Sequence, residues 1–455
     1  METSGTPDVV SRSRVGSILV DLVYLGLSPL LFLVILVISR GLTRPKIRRG
    51  FAEKLGRGLP ARDGDQPSVW VHAVSVGEVL TALPLIEALR RGHPQLDLRV
   101  SVSTFTGLDV ARQNLPGTPV FYFPLDLSMV VKKFFDRLRP TAVVLLELEL
   151  WPNFLLEARR RGVPVLVANG RITERSARRY ALLGPLTRRF FNLVTSFGAQ
   201  NEAYRRRFLS LGVDEARVEV LGNLKHDREP SPAAARGPAT RSRLGWEGAG
   251  SLVLVAGCTH PGEEKTLCEI HGALRVRDPG LRMVLAPRHV ERLDAAELTS
   301  WRAPLPLVRW STLRDSNDGP GPSRPLDGIL VVDTVGELER FYALADVVFV
   351  GGSLVPRGGH NLFEAARLEK AILFGPHHEN FEEEARLLLA EGAAIRVDGA
   401  GELRAALERL LGESEERRRL AGRALEATRR LRGASQAHLS WMERHLRLYL
   451  PWKSC

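Results

Sequence analysis

Cysteine is scarce in this chain of 455 residues: there are three, Cys258, Cys268 and Cys455. So few, without ligand spacing or an even framework, exclude a disulfide-stapled scaffold and a cysteine metal site, and they point to a reducing compartment. Aromatic residues make up only 7% of the chain and do not interleave with its basic runs, which removes the usual surface for reading nucleic acid. Acids are the minority charge, 52 against 64 Lys and Arg, and the net charge of +12 implies an anionic partner such as lipid, nucleic acid or a phosphorylated metabolite. No Walker or dinucleotide fingerprint, no His/Cys cluster and no internal repeat is found.

Long apolar runs are also lacking, with one exception. Val15 to Ser39 is apolar apart from Asp21 and small polar residues, enough to cross a hydrocarbon core of roughly 30 Å. The basic cluster Arg40, Arg44, Lys46, Arg48 and Arg49 outweighs Arg12 and Arg14, which places the C-terminal side in the cytoplasm. The expectation is a single-pass inner-membrane anchor with basic flank at residues 1–45. A cleaved signal peptide competes, but the run exceeds an ordinary h-region and has no small-residue cleavage site.

Beyond the anchor, short β-rich runs alternate with helical patterns, the signature of a doubly wound parallel α/β sheet. Val69–His72, Leu98–Ser103, Val120–Phe123, Ala142–Leu146, Val163–Val167 and Leu193–Gly198 read as one series of strands. Leu252–Ala256, Arg282–Ala286, Gly328–Val332, Val347–Val350 and Ala371–Phe374 read as a second. The Pro- and Ala-rich stretch 228–242 between them reads as a linker. Two Rossmann-like domains, 46–227 and 243–455, are therefore expected to face a shared cleft, with function in the loops beyond the strands' carboxyl ends.

Those loops are rich in polar residues. Glu78 lies between a strand end and a helix start, where it reads either as a capping glutamate or as an ionised base. Glu147 and Glu149 follow an apolar strand and share one face at strand spacing, either in the cleft or on a solvated rim. Asn169-Gly170-Arg171 has the same placement. From Arg159 to Arg207 there are twelve arginines against two acids, a solvated surface or a face for anionic headgroups. In the second domain Gly257–Glu264, Ala286–His289, Gly351-Gly352-Ser353 and Arg357–Glu364 are strand-to-helix turns, with glycines that let backbone amides approach a phosphate and with Glu364 one turn into its helix. Together they suggest a nucleotide-sugar site.

The ordered motifs HAVSVGE, LELELWPN, NGRITERS, LGNLKHD, AGCTHPGEE, APRH, DTVGEL, GGSLVPRGGHN and FGPHHENF, spread over nearly the whole chain, resemble the Kdo (3-deoxy-D-manno-oct-2-ulosonic acid) transferase family. The resemblance implies a two-domain glycosyltransferase of the GT-B type. It implies inverting, metal-independent transfer from CMP-Kdo to a lipid A precursor (lipid IVA), with no cofactor. It also implies that Glu78 is the general base and that Glu149, less surely Glu147, and Lys225 assist the transition state. Pro287, Arg288, Val335, Gly336, Glu337, Asn361 and Glu364 would hold CMP. The implied partners are the lipid A precursor, CMP-Kdo and anionic membrane headgroups, with no nucleic acid. The chain departs from the family pattern at Cys258, at Leu362-Phe363 and at His378-Glu379, which bears on the fine geometry of the nucleotide pocket. Another GT-B enzyme using a UDP-sugar, and a non-catalytic membrane-tethered anion-binding protein, are the alternative readings.

Overall fold

The computed structural model describes residue 21 and residues 45–62, 64–248, 250–315 and 325–447. They fall into two compact units, one running to Arg228 and resuming at Gly433, the other spanning Glu229–Arg432. Each is built on a seven-stranded parallel sheet.

In the first unit β1 (Ser68–Ala73), β2 (Asp97–Val102), β3 (Val120–Tyr122), β4 (Ala142–Leu146), β5 (Val165–Gly170), β6 (Ser196–Ala199) and β7 (Val218–Val220) lie in the order β3-β2-β1-β4-β5-β6-β7. Both faces are covered, so alternate side chains feed two cores. Val69, Val71 and Val144 join the helix residues Val79, Leu85 and Leu89 on one face. Trp70, Val143 and Leu145 join Phe134, Phe135 and Phe154 on the other. A strand buried on both sides must be apolar throughout, which explains the uninterrupted runs in the sequence. Chain order reverses between β1 and β4, the position where open α/β sheets bind ligands.

The second unit repeats the plan. Here β8 (Val253–Thr259), β9 (Arg282–Pro287), β10 (Leu307–Arg309), β11 (Ile329–Val331), β12 (Val347–Val350), β13 (Ala371–Phe374) and β14 (Ala394–Arg396) run β10-β11-β9-β8-β12-β13-β14. The reversal falls between β8 and β12.

Several expectations need correction. The stretch 228–242 is folded: Ala234–Arg236 and Gly237–Arg243 are helical. Gly237 lets that segment pack tightly, since a Cβ there would come within 2.5 Å of the Ala343 Cβ. The helix Ala434–Leu446, assigned by sequence to the second domain, belongs to the first unit, because Leu439, Trp441, Met442 and Leu446 complete its core. Strands β7, β10 and β14 were not anticipated; each is a three-residue edge strand, too short for a periodic pattern. Glu147 and Glu149 do not share a strand face. β4 stops at Leu146, and Glu147 turns the chain in the left-handed region at φ 59°.

The expected anchor at residues 15–39 lies outside the described residues apart from Asp21. That carboxylate accepts hydrogen bonds from the Ser128 backbone at 3.1 Å, from the Ser128 hydroxyl and from Asn153 Nδ2 at 2.7 Å, so the one acid of the apolar run is satisfied by protein donors. Among the described residues no helix is long and apolar enough to cross a membrane.

Candidate active site

In the first unit the loops after β1 and β4 meet at the switch point and carry acids. Ser75 caps the helix Val76–Gly92, and its hydroxyl donates to Glu78 Oε1 at 3.2 Å while the Val74 amide donates to Oε2 at 2.8 Å. Glu78 thus closes the helix N-terminus in a variant of the capping box, through the Val74 amide that precedes the cap rather than the Ser75 amide, as the structural reading of Glu78 expects. The same half-buried position alters its acidity. Burial pushes Glu78 up to about 7 against the pull of the Val74 amide, and the charges of Glu147 and Glu149 push it further. Burial also raises Glu149, whose Oε2 accepts from Trp151 Nε1 at 3.1 Å. A carboxylate that titrates near neutrality is a poised proton acceptor.

Lys225 is exposed on the 3-10 turn Leu224–Asp227, and that turn packs against the helix that begins beside Glu78, with Leu224 and Val79 in one apolar cluster. The turn is held from within. Asn169, in the left-handed region at φ 55°, accepts from the Leu224 amide at 3.0 Å. Gln200 donates to the Asn169 carbonyl at 3.0 Å, and the Asn169 amide donates to His438 Nε2 at 2.9 Å. His438 arrives from the returning C-terminal helix and is fully buried; burial lowers it to about 4, so it is the neutral acceptor this bond requires.

In the second unit the loops after β8 and β12 meet at the corresponding place. Glu263 is buried and accepts from the amides of His260, Gly352, Ser353 and Leu354 at 2.7–3.0 Å. The Gly352 and Ser353 amides therefore serve Glu263 and the Gly351 amide serves the Gly257 carbonyl at 2.8 Å, not the phosphate expected from sequence. Cationic and imidazole side chains remain. Arg288 is exposed beyond buried Pro287, and His260, His289 and His360 cluster beside it. Glu364 is the second residue of a single-turn helix, Phe363–Ala366, not one turn into a longer one; Asn361 caps that turn at the Phe363 amide and reaches Glu364 Oε1 at 3.3 Å. Glu364 and Arg288 both act on the Cys258 thiol, which burial drives to about 12. The Glu337 carboxylate is taken by Trp310, Thr334 and Arg340 at 2.6–3.0 Å, and next to it Val335 is 85% exposed. Among the described residues no group of three or more His, Cys, Asp and Glu could hold a metal ion.

Comparison with known proteins decides the family. A domain family described as 3-Deoxy-D-manno-octulosonic-acid transferase (kdotransferase) matches residues 47–228. A 3-deoxy-D-manno-octulosonic acid transferase of Chlamydia pneumoniae is 35% identical over 78% of this chain and 79% of its own length. One from Haemophilus influenzae is 30% identical over 88% of this chain and 92% of its own. The chain belongs to the Kdo transferase family. It is thus a glycosyltransferase of lipopolysaccharide synthesis. A UDP-GlcNAc 2-epimerase from Neisseria meningitidis, 13% identical, superposes with a TM-score of 0.57 over 83% of this chain and all of the epimerase, a likeness of fold alone.

For this Kdo transferase the structure groups Glu78, Glu147, Glu149 and the Lys225 turn in one unit, and Pro287, Arg288, Val335–Glu337, Asn361 and Glu364 in the other. Sequence reasoning passed over His260, His360, Glu263 and His438. The first three stand inside quoted motifs and carried a visible signal. His438 carried none, because its partner Asn169 is 269 positions away.

Proposed function

We propose that this enzyme transfers Kdo from CMP-Kdo to a lipid A precursor, lipid IVA, with inversion and without a metal ion. The observation that carries the reading is Glu78: a half-buried carboxyl at the first sheet's switch point, raised to about 7 and flanked by two further acids. In this mechanism Glu78 takes the proton of the acceptor hydroxyl. The freed oxygen attacks the anomeric carbon from the face opposite the phosphate, and the bond from that carbon to the phosphate oxygen breaks, its electron pair leaving with CMP. Charge grows on the phosphate as it departs, and Arg288 and Lys225 supply fixed cations to offset it. Glu149 faces the positive charge that develops on the sugar. Pro287, the backbone of Val335, Gly336 and Glu337, and Asn361 with Glu364 hold the nucleotide.

The acceptor is a membrane lipid, and the first unit carries features suited to a membrane face. Leu182, Leu183 and Leu186 are 86%, 55% and 48% exposed at the junction of the consecutive helices Glu174–Leu182 and Pro185–Phe191, which also carry the exposed Arg175, Arg178, Arg179, Arg188 and Arg189. Each basic residue near an anionic surface contributes about 1 kcal/mol. The apolar run 15–39 would serve as the single-pass anchor that keeps both units on the cytoplasmic side. Mass spectrometry of lipid IVA incubated with CMP-Kdo and the full chain tests the proposal. A mass gain of one or more Kdo units is expected; gain with a UDP-sugar instead, or none with either donor, would overturn it.

A further inference from the structure

Two imidazoles meet at the second sheet's switch point with no free acid between them. His260 follows β8 and His360 closes the loop after β12; their Nε2 atoms are 3.0 Å apart and their rings stack at 5.2 Å with an interplanar angle of 9°. Gly352 permits the approach, because a Cβ there would lie 2.9 Å from His360 Cδ2 and 3.1 Å from His260 Cδ2. Two neutral imidazoles joined through Nε2 share one hydrogen: one ring donates and the other accepts. An added proton goes to Nδ1 of the donor ring, keeps that bond and makes both Nδ1 atoms donors.

The neighbouring charges that act on these rings come from Arg288, Arg292, Arg357 and His289, all basic. Of the nearby carboxylates, Glu263 is saturated by backbone amides, Glu264 and Glu297 pair with Arg292, and Glu291 pairs with His289, so Arg288 and Arg357 are left as the main basic field. Burial, then these charges, holds both rings unprotonated: His360 falls to about 4 and His260 is lowered. An oxyanion bound beside Arg288 and Arg357 cancels the basic field and reverses its effect on the pair.

We infer that His260 and His360 form a proton-coupled phosphate site: binding of the nucleotide's phosphate brings one proton from solvent onto the pair, which holds it as a shared cation. This rests on the donor reading above. During transfer the captured proton stays on the pair, facing the phosphate as it gains the electron pair of the breaking bond, while the acceptor's proton goes to Glu78.

The test is calorimetric titration of CMP into the full chain above pH 7.5, in two buffers of different ionisation enthalpy. Uptake of up to about one proton per CMP is expected, with affinity falling by up to about tenfold per pH unit as pH rises. His260→Asn and His360→Asn should each abolish the uptake while CMP still binds. Buffer-independent heats in the wild-type chain overturn the inference without any variant, and so does uptake that persists in both variants. If CMP fails to bind but inorganic phosphate binds with proton uptake, the site stands and the CMP reading falls. If neither binds, the site falls as well.

Discussion

The two sheets reverse strand order at equivalent places and fill those places with different chemistry, acids in one and arginines with neutral imidazoles in the other. Beyond β1 and β4 stand Glu78, Glu147 and Glu149; beyond β8 and β12 stand His260, His360 and Arg357, with Arg288 at the end of neighbouring β9. Each carboxyl end gathers loops because a parallel sheet sends every strand the same way. The topology therefore supplies location, and the side chains supply chemistry: a crowded acid becomes a base near neutrality, and a crowded base becomes an anion site. The difference also shows in the amides. In the second unit four of them close on Glu263, which makes the loops after β8 and β12 one rigid piece. In the first unit Glu78 takes one amide and a hydroxyl and stays half-exposed.

The sharpest way to break this division of labour is Glu78→Gln. Turnover should fall by about a hundredfold to ten-thousandfold while CMP affinity is unchanged. In the wild-type enzyme the rate should climb as pH rises through about 7, where Glu78 ionises. Steady-state kinetics with CMP binding checks both, and a parallel loss of CMP affinity would merge the two roles. The same variant has a stability signature. Because the folded-state value lies above the ordinary 4.5, the carboxyl weakens the fold progressively as pH rises from about 4.5 through 7. Glu78→Gln should accordingly gain in Tm over wild type at pH 8 and not at pH 4.

Arg288→Ala probes the other side. Losing a charge-assisted hydrogen bond to phosphate should weaken CMP binding about 10- to 100-fold, read by calorimetry, with the Glu78 pH profile kept. Addition of a chelator should leave the wild-type rate unchanged; restoration by magnesium of a chelator-inhibited enzyme would refute the fixed-cation scheme.

A smaller effect is expected at the returning helix. His438→Leu leaves the buried Asn169 amide without its acceptor and should cost about 1–3 kcal/mol in denaturant unfolding. His438→Gln, which can still accept, should recover part of it. The smallest effect belongs to the surface. Leu182→Ser combined with Leu183→Ser should change stability by less than about 0.5 kcal/mol, since both are exposed. Transfer to lipid in anionic vesicles should nevertheless drop and become more salt-sensitive, while transfer to detergent-dispersed lipid is unaffected.

The sequence by itself determined the doubly wound α/β class, most of the long strands, the two-part division and the loops where polar residues collect. These follow from local pattern: an apolar run with turn residues at its end is decided by its own composition. Tertiary structure alone decided the rest. Edge strands such as Val218–Val220 form because a neighbour offers a ladder, which three residues cannot announce. The helix Ala434–Leu446 joins the first unit because Trp441 and Met442 find a vacant face of its core, a choice set by shape rather than by proximity in sequence. The acidity of Glu78 rests on burial and on two acids about 70 residues further along the chain, and the pairing of His260 with His360 spans 100 residues. Electric fields and packing act through space, so a motif can show that a glutamate or histidine is present, but only the folded chain sets its charge.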